Sequence, residues 1–137
     1  MAVVKELIRK EADGKLSFGN YELTSKSKVE DFPYEGDLLK VKTFSEITKL
    51  EKNGLFLYES VPGTAVNGFK ETADGVEFSV EASEDVQITL GLEEETVYEI
   101  FVGGVSTGAV STGLSGKLSI SVETQNADAV AVKVVKA

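Results

Sequence analysis

The chain contains neither cysteine nor histidine in its 137 residues, and Arg9 is its only arginine. Without cysteine or histidine it can form no disulfide framework, thiol nucleophile, histidine-based triad or ordinary zinc or copper site. A single arginine cannot form the cluster that clamps carboxylates or phosphates through paired hydrogen bonds. These absences predict a protein that is not an enzyme and has no catalytic, cofactor-binding or metal-binding residues.

Long apolar segments are also missing from the sequence. No run approaches the roughly 20 apolar residues that a membrane-spanning helix needs. The N-terminal MAVVKELIRK alternates charged and apolar residues and lacks the apolar core of a signal peptide. We therefore expect cytoplasmic residence by default, with export to the cell surface by an unrecognised route as the alternative.

Positive charge is scarce in the second half of the chain. Residues 1–70 hold eleven Lys/Arg and eleven Asp/Glu, whereas residues 71–137 hold three and twelve, which accounts for the net charge of −9. A surface of this sign repels phosphate backbones and anionic lipids, so nucleic-acid and membrane partners are not expected. A negative surface is also a common means of keeping exposed strand edges from pairing.

The apolar residues follow the two-residue period of β-strands through most of the chain. From Gly75 onward six short segments alternate apolar and polar residues, with turn signals about every 8–12 residues. The segment from Thr96 to Val122 has the pattern of a β-meander, with Gly103-Gly104 at its first turn. We predict an all-β protein with an antiparallel, immunoglobulin-like β-sandwich over 69–137. A smaller β-rich domain is predicted over 1–68.

One short helix is predicted in the N-terminal half, over residues 44–52. Phe44, Ile47 and Leu50 have helical spacing, Thr43 can cap the helix, and Asn53-Gly54 can end it. The alternative is a hairpin that turns at Asn53-Gly54, because asparagine followed by glycine suits a tight β-turn. Helical spacing explains the apolar positions better than alternation does, so the helix is preferred.

Carboxylates and aromatic residues are the remaining candidates for ligand contact. Glu93, Glu94 and Glu95 can supply oxygens for a weak Ca²⁺ site, but they lack the spacing of a calcium loop, so no cofactor is expected. A carboxylate-based glycoside hydrolase is a third and least favoured function, because no pair of acids has a diagnostic pattern. Phe32 and Tyr34, which flank a proline in a polar segment, are the better candidates for contact with a glycan. The preferred interpretation of this pair is that it closes one end of a sheet.

Self-association is the function that the strand pattern favours. Val97 and Phe101 lie on the opposite face of their strand from Tyr98, so both faces of that strand carry apolar side chains that need cover. The C-terminal strand around Val130 and Val132 is apolar, and as a sheet edge it would pair with another chain. We therefore predict a non-enzymatic structural or interaction protein that forms a homo-oligomer or binds a protein partner, with a glycan-binding accessory module as the alternative.

Two resemblances accompany this reading. The C-terminal half, with Tyr98-x-Ile100-x-Val102-Gly103-Gly104 followed by Gly116-x-Leu118-x-Ile120-x-Val122, resembles immunoglobulin-like accessory sandwiches of bacterial surface and carbohydrate-active proteins. The whole chain, including the segment from Tyr58 to Val66, resembles short bacterial proteins that carry the name endosialidase. That name implies hydrolysis of polysialic acid, an activity that relies on several arginines, and no functional residue carries over to this chain.

Overall fold

The computed structural model describes residues 3–125 and 128–137, which form thirteen β-strands. The strands are β1 (Ile8–Lys10), β2 (Leu16–Phe18), β3 (Ser27–Tyr34), β4 (Asp37–Phe44), β5 (Ile47–Lys52), β6 (Leu55–Val61), β7 (Ala65–Thr72), β8 (Gly75–Glu81), β9 (Val86–Gly91), β10 (Val97–Val102), β11 (Val105–Ser111), β12 (Lys117–Val122) and β13 (Val130–Lys136). No described residue is helical, so no helix in this part of the chain is long and apolar enough to cross a membrane.

The strands form two antiparallel sheets that pack face to face. The seven-stranded sheet has the order β1-β2-β7-β8-β13-β10-β11, and the six-stranded sheet has the order β12-β9-β6-β5-β4-β3. Alternate side chains of each strand point into one shared core, as the burial pattern of β12 shows with Leu118, Ile120 and Val122 buried. The prediction of an all-β antiparallel sandwich is confirmed.

The predicted helix over 44–52 is wrong, and the hairpin alternative is correct. Strand β4 ends at Phe44 and β5 begins at Ile47, and these two residues are partners across a two-residue turn. A tight hairpin places residues i and i+3 opposite each other, so it produces the same apolar spacing as one turn of helix. Asn53 and Gly54 have φ values of 52° and 80° and form the next turn, between β5 and β6.

The predicted division into domains 1–68 and 69–137 does not separate two cores. The boundary falls inside β7, which pairs with β2 on one side and β8 on the other. In the second sheet β6 pairs with β9, so both sheets run continuously from one half of the chain to the other. The charge shift near residue 70 marks a change in surface composition along one sandwich and not the start of a new domain.

Four aromatic side chains occupy the centre of the core. Phe18, Phe69 and Phe78 come from the seven-stranded sheet, and Tyr58 comes from the six-stranded sheet. The ring of Tyr58 lies edge-on to Phe18 and Phe78, with ring centres 5.2 and 5.7 Å away. Edge-to-face pairs of this kind contribute about 0.5–1.5 kcal/mol beyond the burial of their apolar area.

A chain of buried hydroxyl groups continues from the aromatic centre. Tyr58 and Ser60 each share a 2.8 Å hydrogen bond with the Thr64 hydroxyl, and Thr48 donates its hydroxyl to the Thr64 carbonyl at 3.0 Å. Thr43 bonds to Thr48 at 2.8 Å and accepts the backbone N–H of Asn20. The bonds connect β4, β5 and β6 of one sheet to the segments that follow β2 and precede β7 of the other.

The Tyr58→Phe substitution is expected to lower the free energy of unfolding by about 1–3 kcal/mol, because the buried hydroxyl of Thr64 loses a partner. Chemical denaturation followed by fluorescence or circular dichroism measures this loss. Tyr34→Phe serves as the control, because its hydroxyl donates to Gly14 in a part-buried position where water can replace it. Equal losses of unfolding free energy for the two substitutions would contradict a special role for the buried hydroxyl groups.

Candidate functional site

The ends of the two sheets are formed by β1, β11, β12 and β3. Strand β1 has three residues, which leaves little backbone for another chain to pair with. Strand β3 carries Lys28, Glu30, Asp31 and Pro33, and its pairing with β4 shifts register after Val29. Charge, proline and a bulge are the usual features that protect a sheet edge. These two edges are therefore poor surfaces for strand addition.

Strand β11 has none of these protective charges. All seven of its residues are exposed, including Val105 at 66% and Val110 at 45%. The sequence has no charged residue between Glu99 and Lys117, and Leu114 just beyond the strand is 80% exposed. This uncharged segment belongs to a chain with a net charge of −9. The other three edge strands each contain a charged residue, including Lys117 in β12, so β11 is the uncharged edge of the described structure.

The backbone of β11 presents alternate residues to solvent. Thr112, just after the strand, donates its N–H to the Thr96 carbonyl at 3.0 Å, so its backbone faces β10. Backbone direction alternates along a strand, so Val110 also faces β10, whereas Ala109 and Ser111 direct their N–H and C=O groups away from it. Since β11 is the terminal strand, no described strand lies on that side.

The residues predicted as an interface separate into two groups. Val97 is 47% exposed, and Phe101 is partly exposed on the same outer face of β10. Val130 is partly buried against the core, and Val132 is only 1% exposed. The prediction that their strand forms an edge is wrong, because β13 is inserted between β8 and β10. Val97 and Phe101 therefore flank the exposed edge, whereas Val132 is a core residue.

A cleft of about 500 Å³ lies on the outer face of the seven-stranded sheet, beside Phe101. The ring of Phe101 lines the cleft together with Asn67 and Ser79. Lys15, Glu77 and Lys133 contribute charged side chains of both signs. Ser79 is the cross-strand partner of both Asn67 and Ala131, so small and polar residues form the floor across three strands. An aromatic ring with a few polar groups is a common lining for a small-molecule site of this size.

The predicted glycan contacts, Phe32 and Tyr34, lie at one end of the sandwich. Both are partly buried and pack against the core. The Tyr34 hydroxyl donates to the Gly14 carbonyl at 2.7 Å, and the Lys10 ammonium group lies 5.8 Å from the centre of the Tyr34 ring. Burial raises the pKa of the Tyr34 hydroxyl. These contacts connect the β3–β4 turn to the β1–β2 turn, which is the arrangement expected of a pair that closes the sheet end.

The acidic residues predicted as a weak Ca²⁺ site lie in the exposed turn before β10. Glu93 forms an ion pair with Lys136 at 2.6 Å, and its hydrogen bond raises the pKa of that lysine. The Glu94 carbonyl accepts the hydroxyl of Thr96. No group of three or more acidic side chains converges in residues 3–125 and 128–137. Glu93 therefore has a structural role as an anchor for the end of β13.

The alternation of apolar and polar residues predicts the strand that contains β11 but does not predict that it is an edge. The order of strands in a sheet is set by pairing between distant residues. The short turn at Gly103-Gly104 shows that β10 pairs with β11, but nothing local shows that β13 pairs with the other side of β10. The absence of charge from Ile100 to Gly116 is the feature of the sequence that marks this edge. An uncharged strand in an otherwise acidic half lacks the charge that commonly keeps exposed edges from pairing.

Val132→Ala is expected to lower the free energy of unfolding by about 1–3 kcal/mol, because it leaves a cavity in the core. Val97→Ala on the neighbouring strand β10 removes the same two methyl groups from an exposed position. Its expected change is within about 0.5 kcal/mol. Denaturant titration of both variants at a concentration where the wild-type protein is monomeric measures the difference. A larger loss of unfolding free energy for Val97→Ala would mean that Val97 is the buried residue and Val132 the exposed one.

The chain matches no protein-family model, and no curated protein or solved structure matches it. Its function is therefore inferred from the exposed edge of β11 and from the Phe101 cleft.

Proposed function

We propose that the protein is a non-enzymatic structural or interaction module that self-associates through the β10–β11 hairpin. The observation that carries the proposal is the exposed, uncharged edge of β11 at the end of the seven-stranded sheet. Backbone groups on such an edge can pair with a strand of a second molecule by adding it to the sheet. The resemblance to immunoglobulin-like accessory sandwiches of bacterial proteins agrees with a role in attachment or assembly.

Charge supports contact between copies at this hairpin. Two molecules with a net charge of −9 repel each other, and the excess negative charge lies in residues 71–137. The segment from Ile100 to Gly116 carries no charge, so it is where two copies can approach at the lowest electrostatic cost. Val105 and Val110 supply exposed apolar area in this segment, and Val97 is exposed on the adjacent strand β10. Each such side chain gains up to about 1.5–3 kcal/mol when it is fully covered.

The side-chain chemistry of the chain supports a non-catalytic role. The only arginine, Arg9, is bonded to Glu6 and Glu11 at 3.1 and 2.9 Å. The buried hydroxyls of Tyr58, Ser60 and Thr64 bond to one another and have no histidine to activate them. Burial also raises the pKa of the Tyr58 hydroxyl.

Val110→Lys is expected to weaken self-association by about tenfold or more, equivalent to about 1.4 kcal/mol, because two copies would bring like charges together on the paired edges. Sedimentation velocity over a wide concentration range measures the association. Ser119→Lys places the same charge on β12, the exposed edge of the other sheet, and should leave association unchanged. A wild-type protein that remains monomeric throughout would overturn the proposed function.

A second candidate function, glycan binding, is favoured by the Phe101 cleft. The face of an aromatic ring packs against the C–H groups of a sugar, and the Asn67 amide and Ser79 hydroxyl can bond to sugar hydroxyls. The cleft lies on the outer face of the sheet and is reached without opening the sandwich. This position differs from the Phe32–Tyr34 end predicted from the sequence, where Tyr34 is engaged with Gly14.

If the cleft binds a glycan, Phe101→Ala should reduce affinity at least about tenfold, since the variant removes the stacking surface. Tyr34→Ala is the matched control and should leave affinity unchanged. A glycan array followed by isothermal titration of each positive oligosaccharide provides the measurement. Loss of binding in Tyr34→Ala alone would assign the contact to the sheet end instead, and an array without any positive spot would exclude this second function.

A further inference from the structure

The geometry of β11 points to a specific partner strand: we infer that β11 pairs antiparallel with β11 of a second copy, with Ala109 on the two-fold axis. This inference rests on the proposed function and adds the orientation and the register of the contact. The pairing would join the seven-stranded sheets of two molecules into one continuous sheet. A two-fold axis closes the contact, so the product is a dimer and not a filament.

Backbone direction restricts the register. In a two-fold antiparallel pair, a residue that directs its N–H outward must face another outward residue, or the hydrogen bonds of the ladder cannot form. Ala109 and Ser111 face outward, whereas Gly108 and Val110 face β10. With Ala109 on the axis, the two Ala109 residues exchange a pair of backbone hydrogen bonds. Thr107 of one copy then lies opposite Ser111 of the other.

The bulge in the β10–β11 pair further limits the overlap. The register shifts between Ile100 and Phe101, so that Gly108 pairs with Ile100 and Ser106 with Phe101. Thr107 has no partner on β10 and is the extra residue of the bulge, so regular alternation in β11 begins at Gly108. An axis at Ala109 pairs Gly108 with Val110 inside this regular part and reaches the bulge only where Thr107 lies opposite Ser111. An axis at Gly108 would extend the pairing into the irregular region, and an axis at Val110 would shorten it.

Side-chain shape supports the same register. With Ala109 on the axis, Val110 of one copy lies opposite Gly108 of the other on the core-side face. Because this is a non-hydrogen-bonded pair, its Cα atoms approach to about 4.5 Å, and glycine leaves the space that the valine methyl groups fill. Val110 is 45% exposed in the single molecule, so it has apolar area to bury in this way. On the outer face the two Ala109 side chains are small enough to lie next to each other.

The absence of cysteine from the chain allows the register to be tested with single thiols. Cysteine is introduced at Ala109, at Thr107 and at Ser111 in separate full-length variants. Each is oxidised with copper phenanthroline, alone and in mixtures, at a concentration where the wild-type protein is dimeric. Ala109→Cys should form a disulfide dimer, and Thr107→Cys should cross-link to Ser111→Cys. The rate of each of these cross-linking reactions should exceed the rate for Ser119→Cys on β12 by about tenfold or more. Pairing of the strands raises the effective thiol concentration towards the mM range.

The possible outcomes separate the register from the proposed function. Rapid cross-linking of Ala109→Cys to Ser111→Cys, or of Thr107→Cys to Ala109→Cys, would place the axis at Val110 or Gly108 and overturn the inferred register. Self-association that Val110→Lys weakens would then still support the hairpin as the interface. Dominant cross-linking of Ser119→Cys would overturn both, since β12 would be the paired edge. Circular dichroism of each variant verifies that the exposed substitutions leave the fold intact.

Discussion

Tyr58 joins the two sheets both by aromatic packing and by a buried hydrogen bond. Its ring packs edge-on against Phe18 and Phe78 of the opposite sheet, and its hydroxyl begins the buried chain through Thr64. An unpartnered hydroxyl at this depth would be costly, so the position of Thr64 before β7 is coupled to the position of β6. This contact aligns the sheets near the middle of the strand order. Strands on either side then follow by antiparallel pairing.

The number of strands in each sheet explains why one edge is left uncovered. Seven strands pack against six, and the six-stranded sheet ends at β12, whose residues Leu118, Ile120 and Val122 fill the core. The hairpin partner β11 extends past this cover, so Val110 is exposed although it lies on the same face as the buried Tyr98. The exposed edge is therefore a geometric result of how the two sheets are matched. It does not depend on a specialised constellation of side chains.

Local patterns in the sequence were sufficient for the fold class but not for the arrangement of strands. Alternation in segments such as Leu118–Val122 identifies strands, because each buried face repeats every second residue. The apolar spacing of Phe44 and Ile47 predicts a helix, but these residues belong to a hairpin. A two-residue turn and a helical turn both place apolar residues three positions apart. The insertion of β13 between β8 and β10 depends on pairing between distant residues, which no local pattern encodes. Consequently the sequence pattern places Val132 at an interface although it is buried, and it does not identify β11 as an edge.

The insertion of β13 also has a consequence for the order in which the molecule assembles during synthesis. In chain order β10 and β11 are complete before β13, so this hairpin can form first, whereas the second partner of β10 is the later strand β13. Until then the β10–β11 hairpin has no connection to β8, and the seven-stranded sheet consists of two separate pieces. Pairings between distant segments form slowly, so the nascent chain exposes unpaired edges at β8 and β10 for part of its synthesis. Completion of β13 removes both edges in one step and leaves β11 as the exposed edge at that end of the seven-stranded sheet.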